Sequence, residues 1–190
     1  MNSDEQVRIG VVVHDRGDEG EDVFAAFIRD VLLPRAGDCR IGGLYQETVR
    51  NPAGPNLMEL VDVGSGARFA ISQRLGSGSD SCCLDPRGLA DASAHLRAVL
   101  ESGVDLLIAN KFAGAEADGE GLAPEIFEAV SRGIPVMLLV SRRYLPAWLA
   151  AAGGLGTQIA PRPDAMWAWV AGLGLPVAAA SDSVEEQTAS

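Results

Sequence analysis

The residues best placed to do chemistry in this sequence are an asparagine and a lysine that follow a buried strand. The run Val104-Asp105-Leu106-Leu107-Ile108-Ala109 leads directly into the loop Asn110-Lys111-Phe112. In open α/β sheets, ligands bind in crevices beyond the carboxyl ends of the strands. Lys111 can set a point charge against an anion, and Asn110 can donate or accept a hydrogen bond. Glu116 follows in the next loop, where it could orient Lys111, ligate a cation or simply be solvated. The plainer alternative is a solvated turn in which Lys111 pairs with Glu116 or Glu120.

Two other segments could serve the same site. The polar loop Arg74 to Asp85 holds Arg74, Ser77, Ser79 and Ser81 with Gly76 and Gly78. Exposed amides, hydroxyls and a guanidinium suit an oxyanion or phosphate, though a plain polar loop reads the same way. His14 and Asp15 close an earlier strand and could do acid–base work. No nucleophile motif accompanies them, so no Ser–His–Asp triad can be assembled. Cys82 and Cys83 could be soft metal ligands or redox thiols, or small apolar fillers. Trp148, Trp167 and Trp169 fall on apolar helical patterns and read as packing or dimer-contact residues.

The elements that must position these groups alternate. Arg8 to His14 is a short β-branched run, apolar on both faces, as in a buried parallel strand. Val23, Phe24, Phe27, Ile28, Val31 and Leu32 then recur at helical spacing up to Pro34. Cys39 to Gln46 is a second strand. Leu57 to Val63 and Ala67 to Ser72 flank Gly64-Ser65-Gly66 as a β-hairpin. Pro86 to Glu101 is a helix capped by Asp85 and ended by Gly103, with His95 on its surface. Val104 to Ala109 and Ile134 to Val140 are buried strands, separated by a helix from Leu122 to Arg132. Helices over Tyr144 to Ala152 and Pro163 to Leu173 complete the order. Such alternation implies parallel strands joined by right-handed crossovers.

Composition sets limits. The chain has 190 residues, 47% hydrophobic and 22% charged, enough for one full core and little more. Residues 1–190 read as one α/β domain, ordered over about residues 7–175 with frayed polar ends. A net charge of −11 repels nucleic-acid phosphates, so no nucleic-acid partner is expected. Three cysteines form no disulfide framework, no metal site is expected, and no apolar run is long enough to span a membrane. A reduced, cytoplasmic setting follows. A symmetric homodimer is a common state for such domains.

Taken together, certain stretches resemble known families. Cys83-Leu84-Asp85, Gly88-Leu89-Ala90, DLLIANKF at Asp105 to Phe112, Glu116-Ala117, Gly119, Gly121-Leu122 and GIPV at Gly133 to Val136 resemble domain-of-unknown-function family 2478. This is a bacterial group often encoded beside molybdate-transport genes. GGLYQETVR at Gly42 to Arg50, the hairpin after it and the Asn110 loop resemble the small P-loop nucleoside-triphosphatases of the thermostable type. The resemblance implies a three-layer P-loop-NTPase-like domain with a mostly parallel sheet and an inserted hairpin. It also implies a link to molybdenum, with molybdate or a magnesium nucleotide as ligand.

The chemistry of that class is not intact. A P-loop needs Gly-Lys-Ser/Thr. The corresponding loop, His14 to Asp22, has none and carries five carboxylates, which repel a triphosphate. Asn110 and Lys111 stand where the resemblance implies a magnesium-binding Asp and a catalytic Glu. Asparagine is a poorer magnesium ligand, and lysine is no base at neutral pH without a large shift. The leading expectation is a degenerate domain that binds a small oxyanion or nucleotide through Lys111, Asn110, Arg74, Ser77, Ser79, Ser81, Glu116, His14 and Asp15. An active nucleoside-triphosphatase or phosphotransferase with unusual metal ligands is the second. A ligand-free interaction protein is the third.

Overall fold

The computed structural model describes residues 8–15, 17, 19–50, 56–73 and 83–178. Strand β1 (Ile9–His14) is buried along its whole length. Its β-branched residues fill the two faces alternately, as a strand covered on both sides requires. Helix α1 (Gly20–Ala26) continues through a wider π turn, Phe27–Leu32, and a 3-10 turn, Leu33–Arg35, to Pro34. Its expected apolar stripe of Phe24, Phe27, Ile28 and Leu32 is buried.

The sheet continues with β2 (Ile41–Val49), β3 (Leu57–Asp62) and β4 (Arg68–Ala70). The two-residue strands β5 (Ser72–Gln73) and β6 (Cys83–Leu84) form a separate small ladder. Helix α2 (Pro86–Ser102) follows, then β7 (Leu106–Phe112), α3 (Gly114–Ala117), α4 (Ala123–Ser131) and β8 (Val136–Ser141). The chain closes with α5 (Leu145–Ala151), β9 (Thr157–Ile159) and α6 (Pro163–Ala171). The main sheet has the order β4-β3-β2-β7-β8-β1-β9. From β2 to β9 all neighbours are parallel. The β3–β4 hairpin extends the sheet antiparallel beyond β2.

Helices cover both faces, so the molecule has three layers. On one face Val11, Val13, Leu107, Ala109, Leu138 and Val140 meet α2, α4 and α5. On the other, Val12, Ile108, Met137 and Leu139 meet α1 and α6. This is the expected α/β architecture, with its mostly parallel sheet and inserted hairpin. Asp85 caps α2 as expected, its carboxylate accepting from the Arg87 amide at 3.0 Å.

Several expectations shift. β2 begins two residues later than Cys39 and runs on to Val49. Asn110-Lys111-Phe112 is not a loop but the last part of β7. The stretch from Gly114 to Ala117 forms a short helix, and β9 is an edge strand that no periodicity announced. His95 is not simply a surface residue. Its ring lies on Phe69, with centroids 5.1 Å apart, and its Nε2 is 3.0 Å from Asp62 Oδ1, though without hydrogen-bond geometry. It therefore ties α2 to the hairpin.

Trp148 is buried between Phe112 (5.3 Å, edge-on) and Phe127 (5.8 Å, stacked). It is a packing residue, and Phe112 is its anchor on β7. Trp169 lies over Gly10, where a Cβ would meet the indole at 2.8 Å. The Gly42-Gly43 pair has a similar reason. Gly43 has φ +121°, and a Cβ there would stand 2.0 Å from the Ile108 carbonyl oxygen. Only glycine lets β2 lie against β7 in this way.

Two outcomes test this description. Gly43→Ala is expected to cost at least ~2 kcal/mol, read as a lower urea midpoint at unchanged slope. Asp62 gives a pH signature. Burial raises its pKa, but hydrogen bonds from the Ser65 hydroxyl and amide and the nearby His95 outweigh this and hold it below the usual carboxylate range. A depressed folded pKa contributes stability above the unfolded value of about 3.9, and that stability is lost as pH falls further. Asp62→Asn should therefore flatten the acid limb of a stability–pH curve below about pH 4, and an unchanged limb would refute the assignment.

Candidate functional site

The site is built by a register change in β7. Ala109 pairs with Leu138, but Phe112 pairs with Val140, so three steps on β7 match two on β8. Such an irregularity re-aims side chains. With Phe112 fixed under Trp148, Asn110 turns inward and Lys111 reaches a half-open position. Two cavities adjoin there, beyond the carboxyl ends of β1, β7 and β8.

The first, of about 540 Å³, is lined mainly by polar and charged residues. His14, Gly17, Glu21, Asp22, Thr48, Lys111, Ala113, Ser141, Arg143 and Tyr144 line it. The second, of about 650 Å³, lies between the hairpin, α2 and α3. Its walls include Met58, Leu60, Ile71, Leu89 and Leu122, with Gln46, Asn110 and Glu116 as polar members. Lys111, Ala113 and Tyr144 belong to both.

Lys111 does not pair with Glu116 or Glu120. Its Nζ is 2.8 Å from Glu21 Oε1, at the start of α1. Gln46 Nε2 donates to the other Glu21 oxygen at 3.0 Å. The cationic character expected of the strand end is thus largely balanced in place. Arg143 adds a second cation to the polar cavity, with its guanidinium 5.3 Å from the Tyr144 ring centroid. No ion pair to Arg143 occurs among the described residues. Glu21, Asp22, Lys111 and Arg143 have formal charges that cancel, so an entering anion must compete with Glu21 for Lys111.

Glu116 is neither an orienting group for Lys111 nor an open cation ligand. Its Oε2 accepts from the Ala113 amide (3.1 Å) and its Oε1 from the Leu122 amide (3.2 Å). It closes the turn around α3, against Gly121, where a Cβ would be 2.2 Å from Oε1. His14 is buried, with Nδ1 3.1 Å from the Asp15 carbonyl oxygen. The Asp15 carboxylate accepts from Arg142 Nε at 2.8 Å, an exposed pair of little energetic weight. Asn110 is 3% exposed, and its Nδ2 has no hydrogen-bond partner among the described residues. Arg74, Ser77, Ser79, Ser81 and Cys82 lie outside the described residues.

A magnesium–nucleotide centre of the usual kind does not fit these groups. Asn110 and Lys111 offer an amide and an ammonium, and both Glu116 oxygens are held by backbone amides. Among the described residues, no three His, Cys, Asp or Glu side chains gather as a metal site. The sequence reading counted Glu21 only among the carboxylates after β1, as a possible metal ligand and not as the partner of Lys111, and missed Gln46, Ser141, Arg143 and Tyr144. The rule that singled out Lys111 applies equally to the end of β8, where Ser141 to Tyr144 stand.

Competition at Lys111 gives a prediction. Glu21→Gln removes the competitor and should tighten binding of inorganic phosphate by about three- to tenfold, that is by up to ~1.4 kcal/mol. Isothermal titration of wild type and variant measures it, and weaker binding in the variant would contradict the pairing's role.

Comparison with known proteins bears on this site. The sequence is 36% identical over 163 residues to the "Molybdenum import ATP-binding protein ModC 2" of Bradyrhizobium diazoefficiens. The alignment takes in 85% of this chain and 18% of that protein, so the chain spans about a fifth of its relative's length. No solved structure matches significantly. A family described as "Protein of unknown function (DUF2478)" matches over residues 9–169, and the chain belongs to that family.

Proposed function

We propose that this chain is an anion-binding domain with a degenerate P-loop-like site, accessory to molybdenum import and without nucleotide hydrolysis of its own. The observation that carries this is the position of Lys111. It is the penultimate residue of β7 and lines two adjoining cavities, one of them shared with Arg143, with an amide and an ammonium where metal-holding carboxylates would be needed. Lysine and arginine together recognise an oxyanion or phosphate group by charge and by directed N–H donors. Ser141 and Thr48 add hydroxyls to the same cavity. The anionic group is that of molybdate or of a nucleotide. The molybdenum setting is supported by the relative named as a molybdenum import protein.

Among the described residues no helix is long and apolar enough to cross a membrane. Work in the cytoplasm, as a symmetric dimer, belongs to the same proposal. Hydrolysis with the acidic residues after β1 as metal ligands is disfavoured by geometry: Asp15 faces Arg142 and Glu21 faces Lys111.

Thermal-shift measurements with phosphate, sulfate, molybdate and ATP, with and without magnesium, test the proposal. A ligand at a hundred times its Kd stabilises by about 2.7 kcal/mol, a rise in Tm of roughly 5–10 °C for a chain of this size. Lys111→Ala and Arg143→Ala should each abolish most of the rise. Unchanged shifts in both variants, or no shift with any anion in the wild type, would sink the anion site. Magnesium-dependent phosphate release that Asp15→Ala abolishes would replace it with the hydrolase.

A further inference from the structure

The cavity beside Asn110 does not match a bare oxyanion. A tetrahedral oxyanion needs the space of a few waters, each about 30 Å³. The cavity holds about 650 Å³, with Met58, Leu60, Ile71, Leu84, Leu89 and Leu122 in its walls. A mostly apolar cleft of roughly 300–1,000 Å³ with a few polar groups is the form of a site for a small organic molecule. An ion as strongly hydrated as phosphate gains nothing from leucine walls.

The second observation is the Asn110 amide. It lines this cavity, is 3% exposed and carries an Nδ2 with no partner among the described residues. Leaving a buried donor unmade is costly, and a group in that state in a native protein calls for a use. The neighbouring amide, Gln46, is held in place through Glu21. The third observation is adjacency. Lys111, Ala113 and Tyr144 line both cavities, so a molecule in the apolar one touches the anion end of the other.

We propose that the two cavities take one ring-bearing organic anion. Its anionic group sits at Lys111 and Arg143, its apolar ring lies among the leucines, and a hydrogen-bond acceptor on the ring meets the Asn110 amide. This rests on the anion site proposed above and narrows it: a bare inorganic oxyanion is not the preferred ligand. Asn110 is then a specificity residue for the ring, and Lys111 the joint between the two ends.

Titration calorimetry on the full chain with inorganic phosphate, molybdate, phenyl phosphate and GMP tests the inference. Phenyl phosphate should bind at least tenfold tighter than either inorganic ion, and GMP at least as well as phenyl phosphate. Ala115→Phe, which fills the apolar cavity, should remove the advantage of phenyl phosphate over inorganic phosphate. If that variant has no cooperative melting transition, Leu89→Glu, which places a charge on the same wall, serves instead. Asn110→Leu should weaken GMP at least fivefold while raising the Tm of the unliganded chain, a pairing that a merely structural asparagine would not give. Equal affinity for phenyl phosphate and inorganic phosphate would overturn this inference and leave the anion site standing. Failure of every probe to bind the wild type would overturn the anion site itself.

Discussion

The site depends on one constraint: β7 must fit an extra residue between two fixed points. Ala109 is held in register with Leu138, and Phe112 is held in the core by Trp148. A residue as large as phenylalanine buried among aromatics contributes ~2–3 kcal/mol. The strand therefore keeps Phe112 and distorts before it. Asn110 and Lys111 are the residues that absorb the distortion. One goes in without a partner and the other goes out to Glu21.

The electrostatics follow from the same geometry. The chain carries a net charge of −11, and three of the carboxylates near the cavities are held by named partners. Glu21 holds Lys111, Asp15 holds Arg142, and Glu116 is bound to two amides. Exposed pairs of this kind add little stability. Their effect is on the potential a ligand meets: the acidic segment after β1 is partly neutralised, and Arg143 is left facing the cavity. Lys111 is held in place by Glu21.

Much of the fold was legible because its signals are strong and local. A parallel strand buried on both faces reads as a near-continuous apolar run, as Ile9–Val13, Leu106–Ala109 and Val136–Val140 do. Proline, glycine and aspartate mark the ends of α2 in the expected places. β9 was not legible: its three residues are paired only at the sheet edge, and that pairing is tertiary. Of the site, Lys111 and Asn110 followed from a topological rule. Glu21 could not, since its role depends on α1 being brought 90 residues along the chain to the end of β7. Glu116 was misread because a carboxylate in a loop says nothing about whether it faces solvent or its own backbone. The segment around Arg74, Ser77, Ser79 and Ser81 falls outside the described residues.

Glu116 also divides the labour of the walls around it. Tied to the amides of Ala113 and Leu122 and pressed against Gly121, it fixes the β7–α3 side of the apolar cavity by backbone chemistry. The opposite side presents the side chains of Met58, Leu84 and Leu89 to the cavity. Substitutions on that side can reshape what the cavity accepts while the lysine end stays as it is. A cavity with one wall tied to the backbone through Glu116 and another presenting separate apolar side chains can change shape one substitution at a time.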